Sequence, residues 1–423
     1  MLSSSMEPRR FLTSLFEAAV SAADPYAAIQ SHLPERPKGR TVVVGAGKGA
    51  AHLARALERV WDGPLEGIVV TRYGFGVSCE RIEVLEAAHP VPDRAGLSAS
   101  NRMLSTVANL TADDLVIALF TGGGSALLPA PPTGLALGDE IALNEVLLAS
   151  GAPISAMNTI RKQVSRIKGG RLARAAWPAR VATLVVSDVP GDNPAYVASG
   201  PTIPDTAGRV EALAAIRQYN IPLPAAIAKY FRNSLERAPH PSDPRFSRNT
   251  HCVIASASVS LEAAAGVART AGVEAVVVSD NIEGEAREVG SLHAAIVREI
   301  AQKSRPLAQP IVVLSGGETT VTLRGKGKGG RNSEFLLALA RDIDGLSDVC
   351  ALAADTDGVD GSESNAGAFA GGETIGKMRA AGLDASKLLD DNDSWSAFSA
   401  TGDLFEPGPT GTNINDFRAI LLW

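Results

Sequence analysis

The chain has 423 residues, of which 45% are hydrophobic and 20% charged, with a formal net charge of −6. This composition is typical of a globular protein long enough for two or three domains, and its acidic balance gives no basic footprint for nucleic acid. No apolar run reaches the roughly 20 residues of a membrane span. Three widely spaced cysteines and no signal-peptide pattern predict a reducing, cytoplasmic location.

Short aliphatic runs recur along the chain, and most are followed by a helical pattern. Their continuous apolarity predicts strands buried on both faces, and their alternation with helices predicts an α/β fold with mainly parallel sheets. The runs are 41–44, 115–120, 182–187, 252–255, 275–279, 311–314 and 349–354. A Pro-, Ser- and Arg-rich segment at 220–250 predicts a linker between two domains, 9–245 and 246–423. Because ligands bind beyond the carboxyl ends of such strands, the loops there are expected to line clefts.

The first of these loops reads GAGKGA and leads from a predicted strand into a helix. Gly45, Gly47 and Ala50 fit a loose dinucleotide-binding pattern, but the next strand ends at Arg72 without the acidic residue that would hold a ribose. The spacing of a P-loop is absent. Lys48, at a helix start among free backbone N–H groups, therefore predicts an anion site. A surface lysine on a tight turn is the alternative.

The second loop reads TGGGSALL and follows another buried run. Gly122, Gly123 and Gly124 would allow a ligand to approach the backbone closely, and Ser125 can cap the next helix. The pattern predicts a site for a phosphate or carboxylate. A tight turn with an N-cap serine is the alternative.

A basic stretch at 158–173 has the spacing of a helix. Such a run is usually a solvated helix face. A direct substrate role for Arg161 or Lys162 is the less favoured alternative.

Two carboxylates follow the next buried run, in the sequence SDVPGD. Asp188 comes at the predicted strand end, and Asp192 lies four residues later. Carboxylates in this position can hold magnesium or accept a hydroxyl proton. Capping of an ordinary turn by aspartate is the alternative.

The C-terminal half repeats the pattern of a strand followed by glycines, in SGGETTV, and then reads GGRNSEF. Gly316, Gly317 and Glu318 are candidates to contact a nucleotide. Arg331 and Asn332 stand where a helix is predicted to begin, and an arginine there offers a two-pronged donor to a carboxylate or phosphoryl group.

The last motif is ADTDGVDG, in which Asp355 and Asp357 follow an apolar run. The spacing lacks the distal glutamate of a calcium loop, so a catalytic magnesium site is the better interpretation. The segment GPTGTNIND is expected to bring Asn413 and Asp416 back to the same region.

Together these loops favour phosphoryl transfer, which needs positioning and positive charge more than a protein nucleophile. Two alternatives stay open. One is an NAD(P)H-dependent hydroxypyruvate reductase, based on the loose glycine pattern and on Arg72 as a partner for a 2′-phosphate. The other is a non-catalytic protein that binds a small acid. The few histidines, including His52, His89 and His251, show no metal spacing and are interpreted as structural.

The motifs, taken in order, resemble those of the MOFRL-type (class II) glycerate 2-kinases over nearly the whole chain. The resemblance implies a Rossmann-like N-terminal domain with a mainly parallel sheet, a C-terminal α/β domain of MOFRL type and an active cleft between them. It implies transfer of a phosphoryl group from ATP, with Mg²⁺, to the C2 hydroxyl of D-glycerate. Lys48, Asp188 and Arg331 match the catalytic positions, and Asp188, Asp192, Asp355 and Asp357 are the candidate metal ligands. Some relatives carry the hydroxypyruvate reductase label, and homodimer formation is left open.

Overall fold

The computed structural model describes residues 7–234 and 236–423 and separates the chain into two units. One, here called the Rossmann-like unit, is Pro25–Ile254. The other, the C-terminal unit, joins Ala255–Trp423 to the N-terminal segment that ends at Asp24. The sequence-based division at residues 245 and 246 does not anticipate that this N-terminal segment belongs with the C-terminal unit. The helices of the described ranges include none that is long and apolar enough to cross a membrane.

The secondary structure alternates between strands and helices, as the sequence predicts. The helices are α1 Pro8–Ala22, α2 Pro25–Gln30, α3 Ala50–Val60, α4 Arg94–Thr106, α5 Gly124–Leu127, α6 Leu137–Ala149, α7 Ile154–Gln163, α8 Arg171–Ala176, α9 Arg209–Gln218, α10 Ala225–Asn233, α11 Ala257–Thr270, α12 Ala286–Lys303, α13 Arg331–Asp342, α14 Thr374–Ala380, α15 Ala385–Asp390 and α16 Ser394–Thr401. The strands are β1 Thr41–Ala46, β2 Glu66–Arg72, β3 Ile82–Ala87, β4 Leu115–Phe120, β5 Arg180–Val186, β6 Thr250–Ala255, β7 Glu274–Glu285, β8 Ile311–Thr320, β9 Val349–Asp355, β10 Gly367–Gly371, β11 Leu404–Phe405 and β12 Asp416–Leu422.

The Rossmann-like unit contains a six-stranded sheet in the order β3-β2-β1-β4-β5-β6. Strand β1 pairs in parallel with β2 and β4, and the pairs β2–β3 and β4–β5 are also parallel. This is the strand order of the doubly wound dinucleotide-binding fold, and the predicted fold class is confirmed. The order reverses between β1 and β4, so the fold places its ligand crevice at the carboxyl ends of those two strands.

Strand β1 shows why the apolar runs are continuous in this sheet. Val42 and Val44 pack into the core on one face, and Val43 packs into a second core on the other. Successive side chains of a strand point to opposite faces, so a sheet covered by helices on both sides needs an apolar residue at every position.

The C-terminal unit contains a second six-stranded sheet, in the order β11-β10-β9-β12-β8-β7. Only β7 and β8 pair in parallel, whereas β8–β12, β12–β9, β9–β10 and β10–β11 are antiparallel. The expectation of mainly parallel pairing is therefore wrong for this unit. The reason is that helices also cover both faces here, with α1 and α11 on one side, so a continuous apolar run reports burial and not strand direction.

The basic stretch at 158–173 is not a solvated face. Lys162 and Lys168 are 0% and 1% exposed, and Arg171 is 2% exposed. Lys162 Nζ lies 2.5 Å from Asp205 Oδ2, and Lys168 Nζ lies 2.7 Å from Glu140 Oε1. Burial of the two lysine charges is tolerable because carboxylates pair with them, and Arg171 Nη1 donates to the carbonyl oxygen of Lys162 at 2.6 Å. Their partners are distant in sequence, so a charge pattern alone could not show this.

His293 on α12 is buried beneath the second sheet and is 3% exposed. Its Nδ1–H donates to the carbonyl oxygen of Val289 at 2.8 Å, and Nε2 lies 3.0 Å from Ser315 Oγ, where it can accept the hydroxyl proton. Burial lowers the pKa of His293 from 6.5 to about 4. The imidazole is therefore neutral in the folded protein at neutral pH.

We expect His293 to make the fold acid-sensitive. The unfolded chain binds a proton at this residue below about pH 6.5, while the folded chain does so only near pH 4. The free energy of unfolding should fall by up to about 3 kcal/mol as the pH drops through this window. Urea unfolding of His293→Gln between pH 7.5 and 4.5 should show a shallower loss than the wild type. His240→Gln, at an exposed histidine, is the matched control; equal pH dependence in all three proteins would contradict the assignment.

Candidate active site

The turns after β1 and β4 lie against each other at the point where the strand order reverses. The backbone N–H of Lys48 donates to Gly122 O at 2.9 Å, and that of Gly49 donates to Thr121 Oγ1 at 3.0 Å. The N–H of Gly47 donates to a carbonyl of strand β2 at 3.1 Å. The expectation of free N–H groups around Lys48 is therefore wrong, because the neighbouring turn and strand already bind them. What projects from this turn toward a ligand is the exposed Lys48 side chain.

The glycines after β4 bring three polar side chains close to the backbone. A Cβ atom on Gly122 would lie 1.8 Å from Asp188 Oδ2. At Gly123, where φ is +79°, a Cβ would lie 3.0 Å from His89 Nε2 and 3.3 Å from Lys48 Cγ. These positions require glycine, and they place Lys48 and Asp188, both predicted from the sequence, at the same turn. His89 was interpreted as structural, yet it follows strand β3 and obeys the same strand-end rule.

Ser125 is part of a hydrogen-bonded chain that leads away from the glycine turn. Its Oγ lies 2.9 Å from Ser199 Oγ, which donates to Asn158 Oδ1 at 3.0 Å. Ser199 and Ala198 have φ values of +61° and +52°. Residues other than glycine rarely adopt this left-handed backbone conformation. Such backbone strain is commonly retained at functional sites. Asp192 lies in the 3₁₀ turn that follows Asp188.

Arg331, the first residue of α13, is surrounded by carboxylates. Its Nε lies 2.6 Å from Asp416 Oδ1, and its Nη2 lies 2.6 Å from Asp355 Oδ2. Nη1 lies 3.0 Å from Glu318 Oε1. Burial lowers the pKa of Arg331, but the three carboxylates outweigh this effect and raise it. The side chains of Asp416 and Asp355 are 0% and 8% exposed and that of Glu318 is 58% exposed, so Glu318 is the partner that an incoming anion could replace most easily.

Asp416 at the start of β12 connects Arg331 to the interior of the second sheet. Asp416 Oδ1 also accepts from Asn332 Nδ2 at 2.9 Å, and Oδ2 accepts from Thr319 N at 3.2 Å and from Arg418. Arg418 is 0% exposed and donates to Gly316 O at 3.3 Å. The sequence analysis missed Arg418. The sequence does contain a hint of it, because Asp416 and Arg418 are two positions apart in a buried strand. Side chains two positions apart in a strand point to the same face, so these opposite charges can pair.

Gly316 and Gly317 lie inside strand β8 and not in a loop. Gly317 has a φ of +128°, and a Cβ there would lie 2.2 Å from the backbone nitrogen of Ile282 in β7. This glycine therefore serves the close packing of two strands. A role of these residues in nucleotide binding stays a prediction.

Asp355 and Asp357 lie at the end of β9 and in the turn after it. Asp355 Oδ1 accepts from the N–H of Asp357 at 3.1 Å, and Asp357 Oδ2 accepts from Asn413 Nδ2 at 3.4 Å. Burial raises the pKa of Asp355 to about 8, and Asp357 and Asp416 add to this effect while Arg331 opposes it. The cluster contains four carboxyl groups, those of Glu318, Asp355, Asp357 and Asp416, against the two guanidinium groups of Arg331 and Arg418.

The carboxyl groups around Arg331 do not form a metal site on their own. Within residues 7–234 and 236–423, no group of three or more His, Cys, Asp or Glu side chains could hold a metal ion. One oxygen atom here that could coordinate a metal, the buried Oδ1 of Asn332, nevertheless has no hydrogen-bond partner among the described residues. Mg²⁺ is usually held by one or two carboxylates together with substrate phosphates. Asp355 and Asp357 fit such a shared role and do not form a complete protein cage.

We expect a side chain at position 122 to be costly. In Gly122→Ala the new methyl group would meet the Asp188 carboxylate, so the turn or the aspartate must move, at a cost of about 1–3 kcal/mol. Gly138→Ala is the matched control, since a Cβ there meets nothing within 4 Å in helix α6, and it should be neutral or stabilising by up to about 1 kcal/mol. Urea unfolding measures both. A Gly122→Ala protein as stable as Gly138→Ala would contradict the close approach.

Comparisons with known proteins match both units. A domain of unknown function, DUF4147, matches residues 11–232, and the MOFRL family matches residues 311–416. A protein of Agrobacterium vitis with the provisional name hydroxypyruvate reductase is 48% identical over 98% of this chain and 94% of its own length. A glycerate 2-kinase of Pyrococcus horikoshii is 37% identical over 97% of this chain and 96% of its own length. The crystal structure of glycerate kinase from Thermotoga maritima has a TM-score of 0.89 and 35% identity, covering 98% of this chain and 99% of that one.

Proposed function

The chain belongs to the MOFRL-type (class II) glycerate kinase family, and we propose that it is an ATP-dependent D-glycerate 2-kinase. The reaction would transfer the γ-phosphoryl group of ATP to the C2 hydroxyl of D-glycerate and release ADP. The observation that carries this proposal is similarity over nearly the whole chain to proteins named glycerate 2-kinase.

The site chemistry supports roles for these three residues. Lys48 and Arg331 would orient the glycerate carboxylate and neutralise charge on the transferring phosphoryl group. Asp188 would accept or orient the proton of the C2 hydroxyl. Its position against Gly122 supports this role, because only a glycine lets the carboxylate approach the turn so closely. We propose that Gly122, Gly123 and their neighbouring turn contact phosphate oxygens.

Magnesium would enter with the nucleotide. Bound Mg²⁺ would balance phosphate charge, and Asp355 and Asp357 are the residues whose oxygens fit it best. The surplus of carboxyl groups over guanidinium groups around Asp355 supports this assignment, because an added cation would balance it.

A hydroxypyruvate reductase is the second candidate function, and one observation favours it. Arg72 is the last residue of β2, the position at which a dinucleotide-binding fold accommodates a 2′-phosphate. The turn after β1 argues against it, because the N–H groups that would bind the pyrophosphate are already bonded within the protein.

We expect the purified protein to form 2-phosphoglycerate from D-glycerate, ATP and Mg²⁺. Phosphorus NMR of the product distinguishes it from 3-phosphoglycerate. A parallel assay follows NADPH oxidation with hydroxypyruvate. NADPH oxidation without any phosphoglycerate would favour the reductase, and turnover in neither assay would favour a protein that only binds small acids.

We expect Lys48→Met and Arg331→Lys to lower kcat by at least about two orders of magnitude, because each removes charge or geometry that acts on the transferring group. Lys38→Met and Arg324→Lys change exposed residues of the same types and should keep wild-type kcat. Thermal unfolding checks that each variant is folded. Full activity in a folded Lys48→Met or Arg331→Lys protein would refute the assigned role.

A further inference from the structure

Three basic side chains stand at the carboxyl ends of three neighbouring strands in the Rossmann-like unit. Lys48 follows β1, Arg72 ends β2 and His89 follows β3. These strands are adjacent in the sheet, and Arg72 lies opposite Ala87 in the β2–β3 register. Parallel strands end at the same edge, so the three side chains belong to one edge of the sheet.

Lys48 and His89 are close to each other. Lys48 and His89 flank the same glycine, since a Cβ on Gly123 would lie 3.3 Å from Lys48 Cγ and 3.0 Å from His89 Nε2. Burial lowers the pKa of His89, and the positive charges of Lys48 and Arg72 lower it further. His89 is thus held in its neutral form, in which one ring nitrogen can donate a hydrogen bond.

Arg72 is held in place without a counterion. Its guanidinium carbon lies 4.0 Å from the centroid of the Phe75 ring, which is 39% exposed. A cation over an aromatic face is stabilised and kept oriented, and its N–H groups remain available.

The acidic residues of the same region are already bonded to other groups. Asp93 accepts from Tyr73 Oη at 2.8 Å and from the N–H of Gly96 at 2.9 Å. Glu86 accepts from backbone N–H groups of the loop at 74–76. Within residues 7–234 and 236–423, neither Lys48 nor Arg72 forms an ion pair with a carboxylate. Two cations and a polar imidazole thus share this edge with one nearby carboxylate, that of Asp188 at the Gly122 turn.

We propose that Lys48, Arg72 and His89 form an anion subsite that binds an oxyanion group of a substrate. The inference rests on the proposed kinase function and extends it, because it adds Arg72 and His89 to the residues that contact substrate. The oxyanion is the carboxylate of glycerate or a phosphate of ATP, which share the chemistry that these donors recognise. Arg72 supplies a two-pronged donor, Lys48 a point charge and His89 a neutral donor.

The test compares Arg72→Met, Arg72→Lys and His89→Ala with the wild type, and Arg59→Met is the matched control at an exposed arginine on α3. Steady-state kinetics give KM for D-glycerate and for ATP separately, and titration calorimetry gives Kd for ATP alone. We expect Arg72→Met and His89→Ala to raise one of these constants by at least about tenfold, with partial recovery in Arg72→Lys. Arg59→Met should leave both constants unchanged.

The affected constant identifies the source of the oxyanion. A rise in KM for glycerate with unchanged ATP affinity assigns the carboxylate, and a rise in Kd for ATP assigns the phosphates. Unchanged constants in folded Arg72→Met and His89→Ala proteins would overturn the subsite. If the wild type has no kinase activity, the proposed function fails, and thermal shift with D-glycerate or pyrophosphate decides the subsite separately. The subsite would also be overturned if D-glycerate or pyrophosphate raised the melting temperature of the wild type and of Arg72→Met equally. The same holds if only NADPH raised it.

Discussion

The structure of the C-terminal unit depends on one buried carboxylate between two guanidinium groups. Asp416 accepts hydrogen bonds from Arg331 on one oxygen and from Arg418 on the other. A buried ion is costly unless it is paired and its remaining lone pairs are satisfied. Asp416 meets this condition only while strands β8 and β12 and helix α13 keep their places, so the core of the sheet fixes the direction in which Arg331 points.

In the Rossmann-like unit, side chains are held in place by their close approach to the backbone of a glycine turn. The turn after β4 can hold Asp188 and Lys48 near its backbone only because positions 122 and 123 carry no side chain. The turn after β1 is fastened to it by backbone hydrogen bonds, which consume the N–H groups that a dinucleotide would need. The same strand order that serves dinucleotide binding elsewhere would therefore support the proposed anion site, which is made of side chains.

The sequence predicts the strands, the Rossmann-like fold class and the strand-end position of Lys48, because burial and turn chemistry are local properties. It does not predict features that depend on distant partners. In the sequence, Lys168 has the pattern of a surface charge. Its burial becomes understandable only from the tertiary fold, which places Glu140 beside it. The antiparallel pairing of β12 and the salt bridge of Arg418 likewise require the tertiary fold, since apolarity carries no strand direction. His89 follows a strand in the same way as Lys48, so the same strand-end rule would have included it among the candidates.

The charges that remain unbalanced argue for phosphoryl transfer over hydride transfer. The edge of the Rossmann-like sheet has two cations, Lys48 and Arg72, and one nearby carboxylate, Asp188, so a substrate anion would balance the remaining positive charge. The cluster around Arg331 has the opposite surplus, and burial among carboxylates raises the pKa of Asp355. A nicotinamide cofactor brings phosphates, which could bind the basic edge. It brings no cation that could balance the charge of Asp355 and Asp357. A kinase takes Mg²⁺ together with its nucleotide, so the carboxyl groups of the C-terminal unit are better explained by a kinase than by a reductase.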